Sequence, residues 1–160
     1  MQINQIQQKQ LNEILEKSGV QLAYIFGSFA KDKVGPLSDL DIAVLFSKEV
    51  SEKEYFDREL KLSSQIGSFF KINRVDIINL GTVNSPLLKH NAVFRGKIIF
   101  GEDSRNRFEL EKRIMQEYED TKHLRETQYY YLEKHIKEGV FGKGKFSPTQ
   151  EKIFNKYVHR

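Results

Sequence analysis

The chain has 160 residues, 39% of them hydrophobic and 30% charged, which suits one soluble domain or a domain with an appendage. Lys and Arg number 26 against 22 Asp and Glu, and no long run of like charges appears, so charge makes no case for direct nucleic-acid binding. Cysteine is absent, which excludes disulfides and thiolate metal sites and suits a reducing cytoplasm. No apolar stretch approaches the ~20 residues of a membrane span, and the opening Met-Gln-Ile-Asn-Gln-Ile lacks the basic-then-apolar pattern of a signal peptide.

Residues 3–17 place Ile3, Ile6, Leu11, Ile14 and Leu15 on one helical face, with Gly19 positioned to end the helix. Leu22 to Phe26 is a short apolar run, read as a buried strand. A turn from Gly27 to Ser38 follows, with room for a helical piece near Phe29–Lys31 before Gly35-Pro36 breaks it. Leu40 to Phe46 is a second strand with Asp39 at its entrance. Ser51-Glu52-Lys53-Glu54 is a capping box opening a helix whose apolar side is Phe56, Leu60, Leu62, Ile66, Phe69 and Phe70. Arg74 to Leu80 reads as a third strand. Ser85-Pro86 starts a short helix that runs through Phe94. Lys97 to Phe100 is a fourth strand closed by Gly101.

From Ser104 to Glu138 neither proline nor glycine interrupts the chain, so a long C-terminal helix is expected. Unbroken, it would span about 50 Å, so it either breaks or leaves the body. This gives three segments: 1–103 as the core, 104–138 as a helical appendage, and 139–160 as a basic tail with room for a short helix. Tyr129, Tyr130 and Tyr131 cannot share one helical face, so at least one is exposed or meets something outside the domain. His90, His123, His135 and His159 show no metal-ligand spacing and read as surface or capping residues.

Chemistry concentrates in Gly27-Ser28, ten residues, then Asp39-Leu40-Asp41. A glycine-serine turn can hold phosphate through backbone N–H groups, since glycine lets the backbone come close. Alternate positions on a strand share a face, so Asp39 and Asp41 project together, roughly 7 Å apart along the backbone. Two such carboxylates suit Mg²⁺, which takes one or two acids plus substrate phosphates. Asp76 lies in the third strand between Val75 and Ile77, where a buried carboxylate is costly unless paired or bound to metal. A salt bridge to Arg74 is the alternative. Lys31 is a candidate phosphate contact, or simply a solvated turn charge.

Gly27-Ser28-x10-Asp39-x-Asp41 followed by Asp76 resembles the DNA polymerase β-like nucleotidyltransferase superfamily, and the short length resembles its minimal members, the MntA-type antitoxins. The resemblance covers residues 20–100 by motif order. It implies an α+β fold, a mixed sheet of about four to five strands flanked by helices. It also implies ATP as donor, Mg²⁺ as metal, and AMP transfer to a tyrosine of a partner HEPN-domain ribonuclease toxin, which the transfer silences. By that resemblance Asp39, Asp41 and Asp76 are the catalytic and metal-binding acids, and Gly27 and Ser28 the phosphate-binding pair. Two departures stand out. Ala30-Lys31-Asp32 replaces the frequent Ala-Arg-Gly, keeping charge but losing arginine's bidentate fork. Asn79 stands where a further acid sometimes occurs. A small-molecule nucleotidyltransferase and a non-catalytic antitoxin acting by contact are the alternatives.

Overall fold

The computed structural model describes residues 5–30, 38–102 and 105–140. Helix α1 (Gln5–Lys17) buries Leu11 and Leu15 and stops where Gly19 turns to φ +75°, its N–H donating to the Glu16 carbonyl at 2.9 Å. Strand β1 (Val20–Phe26), the single turn α2 (Gly27–Ala30) and strand β2 (Leu40–Phe46) follow. The capping box forms, Ser51 N–H donating to a Glu54 carboxylate oxygen at 3.2 Å. It opens a 3₁₀ turn, and α3 (Tyr55–Phe70) begins directly after it. Strand β3 (Val75–Asn79) leads to α4 (Pro86–Phe94), capped by Ser85 Oγ accepting from Leu88 N–H at 3.2 Å. Strand β4 (Lys97–Phe100) and helices α5 (Arg105–Asp120) and α6 (Lys122–Lys137) complete the described chain.

The strands form one mixed sheet in the order β3-β2-β1-β4, with β1 antiparallel to β2 and β4, and β2 parallel to β3. Strict alternation along β2 divides the core in two. Leu40, Ile42, Val44 and Phe46 pack with Leu11, Leu15, Leu62 and Ile66 beneath α1 and α3. On the other face, Leu22, Tyr24, Phe26 and Ala43 pack with Ala92, Val93, Leu110 and Ile114 beneath α4 and α5. Each fully buried aliphatic side chain contributes about 1.5–3 kcal/mol, so both faces stabilise the sheet strongly. Three apolar residues expected on helix faces, Ile6, Phe56 and Leu60, are instead exposed, because each lies to the side of the stripe that meets the sheet.

Where one long helix is expected, the described residues from 105 on form two helices with Thr121 outside both. Residues up to Asp120 form one compact unit. Within it α5 is fastened to α4: Lys89 Nζ lies 2.7 Å from a Glu117 carboxylate oxygen, with the lysine only 13% exposed. The His90 ring stacks on Tyr118 with centroids 3.8 Å apart. His90 is therefore a packing residue between helices rather than a surface or capping one. Helix α6 belongs to a second unit that begins at Thr121; none of its residues is buried, and Tyr129, Tyr130 and Tyr131 are all exposed.

Candidate active site

The site is built on one rung of the sheet. In β1 the last residue, Phe26, pairs in register with Asp41, and Asp41 pairs with Asp76 on the far side. Neighbouring strands lie about 4.8 Å apart and register partners share a face, so the carboxylates of Asp41 and Asp76 stand side by side. They leave the sheet on the face that α4 and α5 cover farther along.

Gly27 follows Phe26 at φ +71°, in the left-handed region that disfavours any side chain. A Cβ there would overlap an Asp41 carboxylate oxygen and lie 3.0 Å from its Cγ. Glycine is thus required twice, by its dihedral and by the closeness of Asp41. Ser28 is in α2, the turn that packs on β1 and β2 beside this carboxylate.

Asp39 stands one residue before β2. Leu40 N–H donates to the Arg74 carbonyl at 3.0 Å, which brings the residues before β2 and β3 together. Arg74 Nε lies 3.5 Å from an Asp39 carboxylate oxygen. The Asp41 carboxyl is pushed up from its ordinary range, first by burial, then by the negative charges of Asp76 and Asp39. The three acids therefore share one electrostatic field, and a cation entering it would relieve the repulsion.

The burial expected for the Asp76 carboxylate is not found. Asp76 is exposed on the edge strand β3, although Val75 beside it is buried and Ile77 partly buried. Register rather than desolvation puts it in the site. Its expected competitor also pairs elsewhere: Arg74 engages Asp39. Asn79 is three residues from Asp76 and so faces the opposite side of the sheet. It is buried, and its side-chain carbonyl accepts from Gly81 N–H at 2.9 Å, bracing the turn after β3. Lys31 and Asp32 lie outside the described residues, as does the basic segment 141–160. Arg74 is the site residue that sequence reasoning did not place, because its neighbour is set by the β2–β3 register.

The donor set is all carboxylate oxygen, the chemistry Mg²⁺ prefers. Among the described residues no three acidic or histidine side chains are gathered around a single point. An ion here would take one or two carboxylates and fill its shell from substrate phosphates and water, the usual mode for magnesium. Gly27, having no Cβ, leaves room for the Asp41 carboxylate to stand against the backbone. A cleft of about 700 Å³ lies at the other end of β2, beside Leu45–Lys48 and α5, away from the acids.

A family model described as polymerase beta, nucleotidyltransferase matches residues 9–105. Two inferred protein adenylyltransferases of Methanocaldococcus jannaschii are similar. One is 35% identical over 89 residues, covering 56% of this chain and 88% of that protein; the other is 31% identical over 88 residues, covering 55% and 85%. Among solved structures, a toxin–antitoxin complex with AMP-PNP aligns at TM-score 0.61 and 21% identity, covering 81% of this chain and 98% of the other. A tri-AMPylated Shewanella oneidensis HEPN toxin in complex with MNT antitoxin aligns at TM-score 0.57 and 21% identity, covering 82% and 98%. At these identities the structural likeness is one of fold.

Proposed function

Because the chain belongs to the polymerase beta nucleotidyltransferase family, we propose that it transfers AMP from ATP to a tyrosine hydroxyl of a HEPN-type ribonuclease toxin and thereby neutralises it. The observation that carries the chemistry is the rung Phe26–Asp41–Asp76 with Gly27 pressed against Asp41. The names of the two archaeal relatives and the complexes among the solved structures support the choice of acceptor.

In this reading Asp39, Asp41 and Asp76 are the metal-binding acids. Magnesium, when bound, neutralises the triphosphate and stabilises charge developing on it. Gly27 and Ser28 offer backbone N–H groups and a hydroxyl to the phosphates, and Lys31 adds a positive charge. Asp76, open to solvent on its edge strand, accepts the tyrosine proton. The hydroxyl oxygen bonds to the α-phosphorus, the bond to the bridging oxygen breaks, and pyrophosphate leaves with that electron pair. Residues 1–103 hold this chemistry, 104–138 present the protein acceptor, and 139–160 form a basic tail. No helix among the described residues is long and apolar enough to cross a membrane, and a chain without cysteine suits the cytoplasm, where such a toxin acts on RNA.

The test is intact mass spectrometry of a HEPN toxin co-expressed with this chain. The expected result is a gain of one or more AMP units on tyrosine, lost with the Asp39→Ala/Asp41→Ala variant. A silent but unmodified toxin, with that variant still protecting the cell, sinks the catalytic reading in favour of inhibition by contact.

A further inference from the structure

Asp39 has a competitor for any cation. Arg74 Nε lies 3.5 Å from an Asp39 carboxylate oxygen, with the arginine side chain 74% exposed and the aspartate's 31%. The Arg74 backbone is held, since its carbonyl accepts from Leu40 N–H at 3.0 Å. Its side chain is not held in the same way: it extends from the residue before an edge strand into solvent. A fixed Cα with a long solvated stem is a pivot.

The acids it faces are crowded. Asp41 and Asp76 are register partners, and Asp39 is two residues from Asp41. Yet among the described residues no three acids converge on one point, and Asp39 is the one drawn toward a cation. An exposed ion pair of this kind is weak, about one- to fivefold in an equilibrium constant. A divalent ion can displace it. The released guanidinium then needs a partner, and its five-donor fork matches phosphate oxygens better than a lysine ammonium would.

We propose that Arg74 is a positioning residue that occupies Asp39 in the empty site and passes to the nucleotide's phosphates when metal and triphosphate arrive, so that the two bind together rather than metal first. This rests on the reading of Asp39 as a metal-binding carboxylate. Arg74 thus discriminates for the loaded, polyphosphate-bearing nucleotide over free metal.

The experiment uses the full chain and two probes: Mn²⁺ alone, followed by electron paramagnetic resonance, and AMP-PNP with saturating Mn²⁺, followed by calorimetry. For Arg74→Gln, free Mn²⁺ is expected to bind about two- to fivefold tighter, the limit set by an exposed pair. AMP-PNP is expected to bind at least tenfold more weakly. These opposite signs separate the effect from misfolding, which weakens both. Arg74→Lys keeps the charge without the fork. It should restore wild-type Mn²⁺ affinity while leaving AMP-PNP binding at least threefold weak. Unchanged Mn²⁺ affinity in Arg74→Gln overturns the proposal, as does full recovery of both affinities by lysine, which would assign the effect to charge alone. Asp39→Asn checks the underlying reading. If it leaves Mn²⁺-dependent AMP-PNP binding intact, the metal role of Asp39 falls and the proposal with it. If it abolishes that binding while Arg74→Gln changes neither affinity, the proposal fails and the metal reading stands.

Discussion

Replacing Gly27 by alanine perturbs the site at the point where backbone and carboxylate meet. The left-handed φ of +71° costs a side-chain-bearing residue about 1–2 kcal/mol. The new methyl also overlaps an Asp41 carboxylate oxygen and comes within 3.0 Å of its Cγ. The oxygen is the far end of a side chain and can rotate away, so folding bears mainly the dihedral cost. For a chain of this size each kcal/mol lowers Tm by about 2–4 °C, which predicts a drop of about 2–8 °C. Catalysis bears the rest, because Asp41 must leave the position it shares with Asp76. A displacement of about 1 Å in a positioning group can cost about 100-fold in rate. The expected signature is therefore a modest loss in thermal unfolding beside at least a hundredfold loss of AMP transfer from α-labelled ATP to the co-purified toxin. A Gly27→Ala protein that transfers AMP within threefold of wild type would refute the reasoning, since Asp41 would then not need its observed place.

Other consequences follow from the same geometry. Burial and neighbouring charges raise the Asp41 carboxyl above its ordinary value of 3.8, so the native state holds that proton more tightly than the unfolded chain does. Stability from this group is present below the ordinary value and is lost as pH rises through the native one. Asp41→Asn should accordingly raise Tm at pH 7, with the gain vanishing in acid below the ordinary range; a gain that persists there argues against the electrostatic cause. Asp76→Asn touches an exposed residue, so stability should change by no more than about 0.5 kcal/mol while AMP transfer falls by at least about 100-fold; unfolding and transfer assays on one preparation read both. Lys89→Ala removes the 2.7 Å contact to Glu117. A loss of about 1–2 kcal/mol is expected for a pair between exposed and buried, with AMP-PNP affinity unchanged, measured by denaturant unfolding and calorimetry.

The two-residue spacing of Asp39 and Asp41 is legible from sequence because it is local. The pleat repeat decides which way each side chain points, and β2 runs over Leu40–Phe46 as its alternation predicts. Gly19 and Ser85 are legible for the same reason, since a helix end is a matter of a few dihedrals and one cap. Register across strands is not local. Nothing in the chain between Phe46 and Val75 states that Asp41 will face Asp76, or that Arg74 will stand beside Asp39; the parallel pairing of β2 with β3 decides both. Helix faces fail in the same way. Phe56 and Leu60 follow the helical period, yet the sheet meets α3 along Leu62 and Ile66. His90 looks like an isolated surface residue until α5 returns to stack Tyr118 on it.

The sheet order makes three similar carboxylates unequal. Asp41 is on an inner strand, with β1 on one side and β3 on the other, so neighbours hold it and charge it unfavourably. A bound cation would relieve that cost, as protonation does, which suits the proposed metal role. Asp76 shares the rung but stands on the edge strand, exposed, where a large acceptor can reach it without parting the sheet. The base proposed for a protein substrate has to be approachable in this way, and an inner strand would not allow it. Asp39 lies outside the ladder beside a solvent-exposed arginine, so the proposed change of partner would leave the strands undisturbed. The proposed roles of holding, accepting and exchanging thus fall to inner strand, edge strand and strand entrance, a division that strand order creates and the motif alone does not contain.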